Sequence, residues 1–211
     1  MLPATVCWWY SALFPFLAPE ADAAEGIINS DLNRISLWAD ANHLVLNPVK
    51  CQHILLGSKH HRPLVSVFHL YISGTKIPHC CLVANLGVIL DSDFNFSRHI
   101  SRLCQSAYHS WKQLLPFRNM FDEPTKLLLV ESLVLSLFNY CDVLYGLYIA
   151  SADNYRLQKI PNLCIRFVTC VPPFCHIIPF IRHFRRLKVQ GRRLLHYMVL
   201  LSSQSPPYFF S

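Results

Sequence analysis

Glycine and acid are scarce in this sequence. Six glycines in 211 residues leave no glycine-rich loop to cradle a phosphate, and neither GxxxxGK[ST] nor GxGxxG occurs. GxSxG and HExxH are missing as well, which excludes P-loop, dinucleotide-binding, nucleophile-elbow and zincin chemistry. Charged residues make up 15% of the chain against 53% hydrophobic, so the surface is thinly solvated and exposed apolar patches are expected. No CxxC pair occurs among the nine cysteines. An odd, irregularly spaced set argues against a disulfide framework and for a reducing, intracellular setting. Cys80-Cys81, and Cys164, Cys170 and Cys175 with His176, come nearest to a ligand cluster, but tetrahedral zinc sites use tighter paired knuckles. Scattered thiols and no metal are the expectation. The apolar opening MLPATVCWWYSALFPFL has no basic n-region, is shorter than the ~20 residues of a spanning helix, and is interrupted by Pro15. Neither a targeting signal nor membrane contact is expected.

What acid there is lies early. Through Ser58 two basic residues face five carboxylates, from Lys59 to Tyr155 eight face seven, and from Arg156 onward nine face none. The formal charge of +7 therefore resides in the C-terminal quarter, where it would attract a polyanion or simply form a solvated basic face.

The apolar spacing of Ile28, Leu32, Ile35 and Ala39 predicts an amphipathic helix from Asp22 to His43, stopped near Asn42, with Trp38 closing its core face. Leu44–Leu46 and Cys51–Leu56 read as two strands around an Asn47-Pro48 turn that carries Lys50. A polar loop follows at Ser58–Pro63, then a hairpin about Ser73-Gly74, then a strand from Leu82 to Leu90 with Gly87 inside it. Asp91-Ser92-Asp93 ends the β region. From Ser97 the period turns helical. Ile100, Leu103, Cys104, Ala107, Trp111, Leu114 and Leu115 form one stripe, with Arg98, Arg102, His109 and Lys112 opposite. Asp122 caps a second helix with Pro124 in its first turn, and its leucine-rich run to Leu135 predicts the buried centre of the helical part. A third helix is expected from Arg156 to Thr169, kinked or shortened by Pro161 inside it, and Val171-Pro172-Pro173 breaks it. The last, from about Phe184 to Leu201, is expected to turn Leu187, Leu194, Leu195 and Met198 inward and Arg185, Arg186, Lys188, Arg192 and Arg193 outward.

LNRISLWADANHLVLNPVKCQHILLGS resembles the late palm segment, motif D, of reverse transcriptases from non-LTR, LINE-type and jockey-like retrotransposons. ANLGVILDSDFNFSRHISRLCQSAY is similar to their next block, where the primer-grip strand and turn lead into the thumb. LLLVESLVLSLFNYCDVLYG, LQKIPNLCIRFV and the IIPF to SPPYF region follow in family order, so roughly residues 28 to 211 are covered. Pro161 and RHFRRLKVQ depart from the family pattern. The resemblance implies an α+β chain: residues 1–21 as an apolar segment, 22–96 as a palm remnant with a small antiparallel sheet backed by one helix, and 97–211 as a helical thumb and connection.

The same resemblance implies site residues. Lys50 takes the place of the motif D lysine near the incoming phosphates, and Asn85, Leu86 and Gly87 that of the primer grip. Arg98, Arg102, Lys112, Arg185, Arg186, Lys188, Arg192 and Arg193 are the candidates for contact with an RNA·DNA or primer-template duplex. Intact family members hold Mg²⁺ through an aromatic-Ala-Asp-Asp turn just upstream of the helix that begins here near Asp22. MLPATVCWWYSALFPFLAPE, in that position, contains no aspartate. Two-metal chemistry needs carboxylates bridging cations ~3.5 to 4 Å apart, so polymerase activity is not expected and Lys50 would be vestigial. Asp91 and Asp93, at i and i+2, could share a cation, but a capping turn is the stronger expectation. The competing readings are an active RNA-directed DNA polymerase, a host-recruited interaction module, and a product without function.

Overall fold

The computed structural model describes residues 21–57, 68–146, 149–184 and 187–202. The apolar opening, the Ser58–Pro63 loop and the final Ser-Pro-Pro-Tyr stretch lie outside them. The chain divides into two compact units, Met1–Phe94 and Asn95–Ser211, and its class is α+β: among the described residues, seven α-helices and two antiparallel hairpins.

The first unit is organised by α1 (Ala21–Ala41). Its Ile28 packs with Phe68, Leu70, Ile72 and Ile77, and Ala24, Leu32, Leu46 and Cys51 close around that core. The helix ends in a Schellman arrangement: His43 N–H donates to Asp40 O and Leu44 N–H to Ala39 O. The left-handed residue is His43, at φ 56°, and Asn42 is the residue before it. Trp38 does not close the core face; it is 57% exposed, because 100° per residue puts it about 80° off the Ile28 line. Hairpin β1 (Leu70–Ile72) and β2 (Thr75–Ile77) turns through Ser73 and Gly74, both with positive φ, as a two-residue turn requires. The Asn29 side chain clasps β1 from α1, its Nδ2 donating to His69 O at 3.0 Å and its Oδ1 accepting from Tyr71 N–H at 2.9 Å.

Two strand expectations fail in this unit. Leu44–Leu46 and Cys51–Leu56 do not pair. Asn47 accepts from Val49 N–H and caps a short 3₁₀ turn, Pro48–Lys50, which sends the second run instead along residues 78–80. There His53 makes an isolated parallel bridge with His79. The Leu82–Leu90 strand is in fact a second hairpin, β3 (Leu82–Asn85) and β4 (Val88–Asp91). Leu86 (φ 46°) and Gly87 (φ 83°) form its corner, so the glycine marks a turn.

In the second unit, α5 (Ser151–Thr169) is the centre, burying Leu157, Ile160, Cys164, Ile165, Phe167 and Val168. Against it lie α2 (Ser97–Leu114), α3 (Glu123–Leu133), α6 (Ile178–His183) and α7 (Val189–Ser202); α4 (Asp142–Gly146) packs on α7. Asp122 caps α3 as expected, its carboxylate accepting from Thr125 N–H; these Thr125 hydrogen bonds hold it below the usual carboxylate range. Yet α3 is not the buried centre. It inserts Val130 and Lys126, while Leu128 and Leu133 face water, since only one of its sides meets α5.

The last helix is turned over relative to the expectation. Leu187, Leu194, Leu195 and Met198 are exposed, and Val189 and Arg193 are buried. The polar groups go inward because most of them find partners there, Arg193 Nε excepted. Arg193 donates to Gly146 O at 3.2 Å and Asn154 Oδ1 at 2.7 Å, His196 Nδ1 sits 2.7 Å from the buried Asp142 carboxylate, and Gln158 caps the Val189 N–H. Burial, then Asp142, pushes the adjacent Tyr145 phenol up, so that ring stays neutral.

Burial also pushes the imidazole of His99 down, with repulsion from Arg102 second; its ring lies edge-on to Tyr145 at 5.1 Å. The unfolded chain takes up this proton near pH 6.5, whereas the folded one resists it. Stability from neutral His99 is complete above about pH 6.5 and is lost as pH falls toward the lowered folded value. The urea midpoint of the second unit should therefore drop between pH 7.5 and 5.5, and His99→Gln should shrink that drop. An unchanged pH difference in the variant would refute the assignment.

Candidate nucleic-acid interface

The stripe on α2 is built by periodicity and locked by a polar network. Ile100, Ala107 and Leu114 are buried on one side of α2, so positions 98, 102, 105, 109 and 112 fall within about 80° on the other. Arg98, Arg102, Gln105, His109 and Lys112 are all exposed there. At 1.5 Å per residue the run from Arg98 to Lys112 is about 21 Å long. Its orientation is fixed from α5: Ser97 Oγ donates to Asp153 Oδ2 at 2.8 Å, Arg156 donates to Asp153 Oδ1 at 2.9 Å, and also to Ser101 Oγ at 3.1 Å. Asp153 is buried, so this charge is desolvated and paired, and it holds α2 and α5 in register. The first turn of α2 contains no acid of its own, and the Asp153 carboxylate bonded to Ser97 is the negative charge that faces the positive end of the helix dipole.

The other candidates are scattered. Arg185 and Arg186 lie outside the described residues. Lys188 is exposed just before α7, Arg192 is half-buried, and Arg193 is 7% exposed with its guanidinium engaged as above. Arg193 is thus a packing residue, a correction to its expected outward position. Lys50 is exposed on the 3₁₀ turn, and Asn85, Leu86 and Gly87 form the β3–β4 corner with Leu86 63% exposed; both sets belong to the first unit. Three of the basic residues, Arg98, Arg102 and Lys112, are therefore brought together on one line.

Asp91 and Asp93 form a turn: Asp91 Oδ1 accepts from Asp93 N–H at 3.1 Å. Among the described residues no three His, Cys, Asp or Glu side chains converge as a cation would require. All eight cysteines of the described residues are free thiols, and no described helix is long and apolar enough to cross a membrane.

These features define an α+β protein whose helical unit is basic, with fourteen Lys or Arg against five Asp or Glu from Asn95 onward. The chain is similar to the probable RNA-directed DNA polymerase from transposon X-element of Drosophila melanogaster, with 27% identity over 157 residues, 71% of this chain and 16% of that protein. This distant, partial likeness supports a relationship to non-LTR retrotransposon reverse transcriptases. The chain spans about a sixth of that relative's length. No protein-family profile and no solved structure matches it.

Proposed function

We propose that this chain is a reverse-transcriptase-derived late palm and thumb that holds a nucleic-acid duplex without reading its sequence, and that it does not polymerise by itself. The observation that carries the reading is the exposed line of Arg98, Arg102 and Lys112 on a helix whose opposite side is buried. In this reading the cations engage phosphates, contacts that position a duplex without specifying its sequence. The likeness to a transposon polymerase supports a primer-template duplex as the partner in this reading. Lys50 and the Asn85–Gly87 corner take the motif D and primer-grip positions within that reading.

Three phosphate contacts give log K against log[salt] a slope of about −2.7, or a roughly 40-fold loss of affinity from 50 to 200 mM salt. Fluorescence anisotropy of a labelled RNA·DNA hybrid, titrated with the chain across that range, measures it. Affinity indifferent to salt would refute duplex holding. Primer extension with Mg²⁺ or Mn²⁺ should yield no product, and extension by the purified chain would overturn the inactive half of the proposal.

A further inference from the structure

Three stretches distant in sequence converge where α5 ends. Cys170 terminates α5 in a left-handed conformation, φ 58°, with its side chain exposed. Lys126, from α3, ends with Nζ 3.4 Å from Cys170 Sγ. That lysine is 6% exposed and makes no close ion pair with a carboxylate among the described residues, the Asp122 carboxylate at the start of its helix feeling it only at longer range, so the buried ammonium has the sulfur as its near partner. Arg118, beyond the end of α2, donates to Arg166 O at 3.5 Å, and its guanidinium favours a negative charge on the same sulfur.

Burying an ammonium without an anion costs several kcal/mol, and a thiolate is the anion this position can supply. The two cations also act against the local backbone, because the carbonyl end of a helix disfavours negative charge. The cations win: hydrogen bonding from Arg118, reinforced by Lys126, pulls the Cys170 thiol below its ordinary range. Cys164, one turn and a half earlier on α5, shows the opposite case, pushed up to about 12 by burial alone.

We propose that Cys170 is a reactive thiol of this chain, a modification site for small hydroperoxides, activated by Lys126 and Arg118. A sulfur lone pair attacks one peroxide oxygen, the O–O bond breaks, and the departing hydroxide takes a proton and leaves as water. Sulfur is oxidised by two electrons, and the peroxide is reduced by the same two. The product sulfenate keeps both cations as partners, which a neutral product would not.

The test uses the full chain and mass spectrometry of its cysteine peptides. At pH 6.5 iodoacetamide should label Cys170 about tenfold faster than the exposed Cys81, with the gap closing by about pH 9.5 as ordinary thiols ionise. One equivalent of hydrogen peroxide with dimedone present should place the dimedone adduct on Cys170. Arg118→Gln, at a half-buried site, should move the labelling profile of Cys170 toward higher pH, and Lys126→Met should move it in the same direction by less. Equal labelling of Cys170 and Cys81 at pH 6.5 would overturn the proposal, as would a profile unmoved by Arg118→Gln. The wild-type pH profile decides the matter even if Lys126→Met does not fold.

Discussion

Changing Arg98, Arg102 and Lys112 together to glutamine should flatten the salt dependence of duplex binding almost completely. Each phosphate-bound cation contributes about 0.9 to the slope of log K against log[salt], so the roughly 40-fold difference between 50 and 200 mM salt should shrink to near unity. The substitutions leave the fold intact, because all three side chains are exposed and lie opposite the buried Ile100, Ala107 and Leu114; exposed changes of this kind alter stability by about 0.5 kcal/mol or less. Circular dichroism of the variant supplies that control. A variant with an undiminished slope would move the duplex contact away from α2. Single changes should remove about one third of the slope each, since the three sites are separated by at least one helical turn and couple weakly.

The largest stability effect should come from Arg193. Replacement by methionine keeps much of the aliphatic volume but strands Gly146 O and Asn154 Oδ1, both of which accept from the guanidinium. It also removes a cation from beside the buried Asp142 and Tyr145. Loss of one partner from a buried charged network costs about 3 kcal/mol, which lowers a urea midpoint by roughly 2 M for a unit of this size. Gly146→Ala approaches the same contact from the other side, because a Cβ there would fall 2.6 Å from Arg193 Cδ and push the arginine off its acceptors. The two losses should not add, as both break one interaction. If Arg193→Met unfolds at the wild-type urea concentration, the arginine contributes nothing and α7 is held by Val189 and His196 instead.

What the sequence made legible was local. Ser73-Gly74 and Asp122 with Pro124 carry their structural meaning within four residues, and the α2 stripe within five turns, and each is found where its spacing puts it. Gly87 is equally local, yet the apolar run on both sides of it predicts one continuous strand. A leucine is a poor signal for a left-handed corner, so Leu86 concealed the turn. The orientation of α7 could not be read at all by apolar periodicity. Its decisive partners, Asn154 and Gly146, stand 39 and 47 residues from Arg193, and a rule that points leucine inward has no knowledge of acceptors elsewhere in the chain. The Cys170 cluster escaped for the same reason, with Lys126 lying 44 residues away. Alternate registers of one helix differ by a few kcal/mol, and two or three well-formed polar contacts are enough to choose between them.

The Asn29 clasp on β1 has a bearing on how so greasy a chain would meet copies of itself. The hydrogen-bonding groups of His69 and Tyr71 that it occupies point away from β2, along the rim where a foreign strand would dock to begin a fibril. One amide, offering a donor and an acceptor at strand-like spacing, takes the seat of that intruder. The two-stranded ribbon is thereby stopped from recruiting copies of itself along this rim.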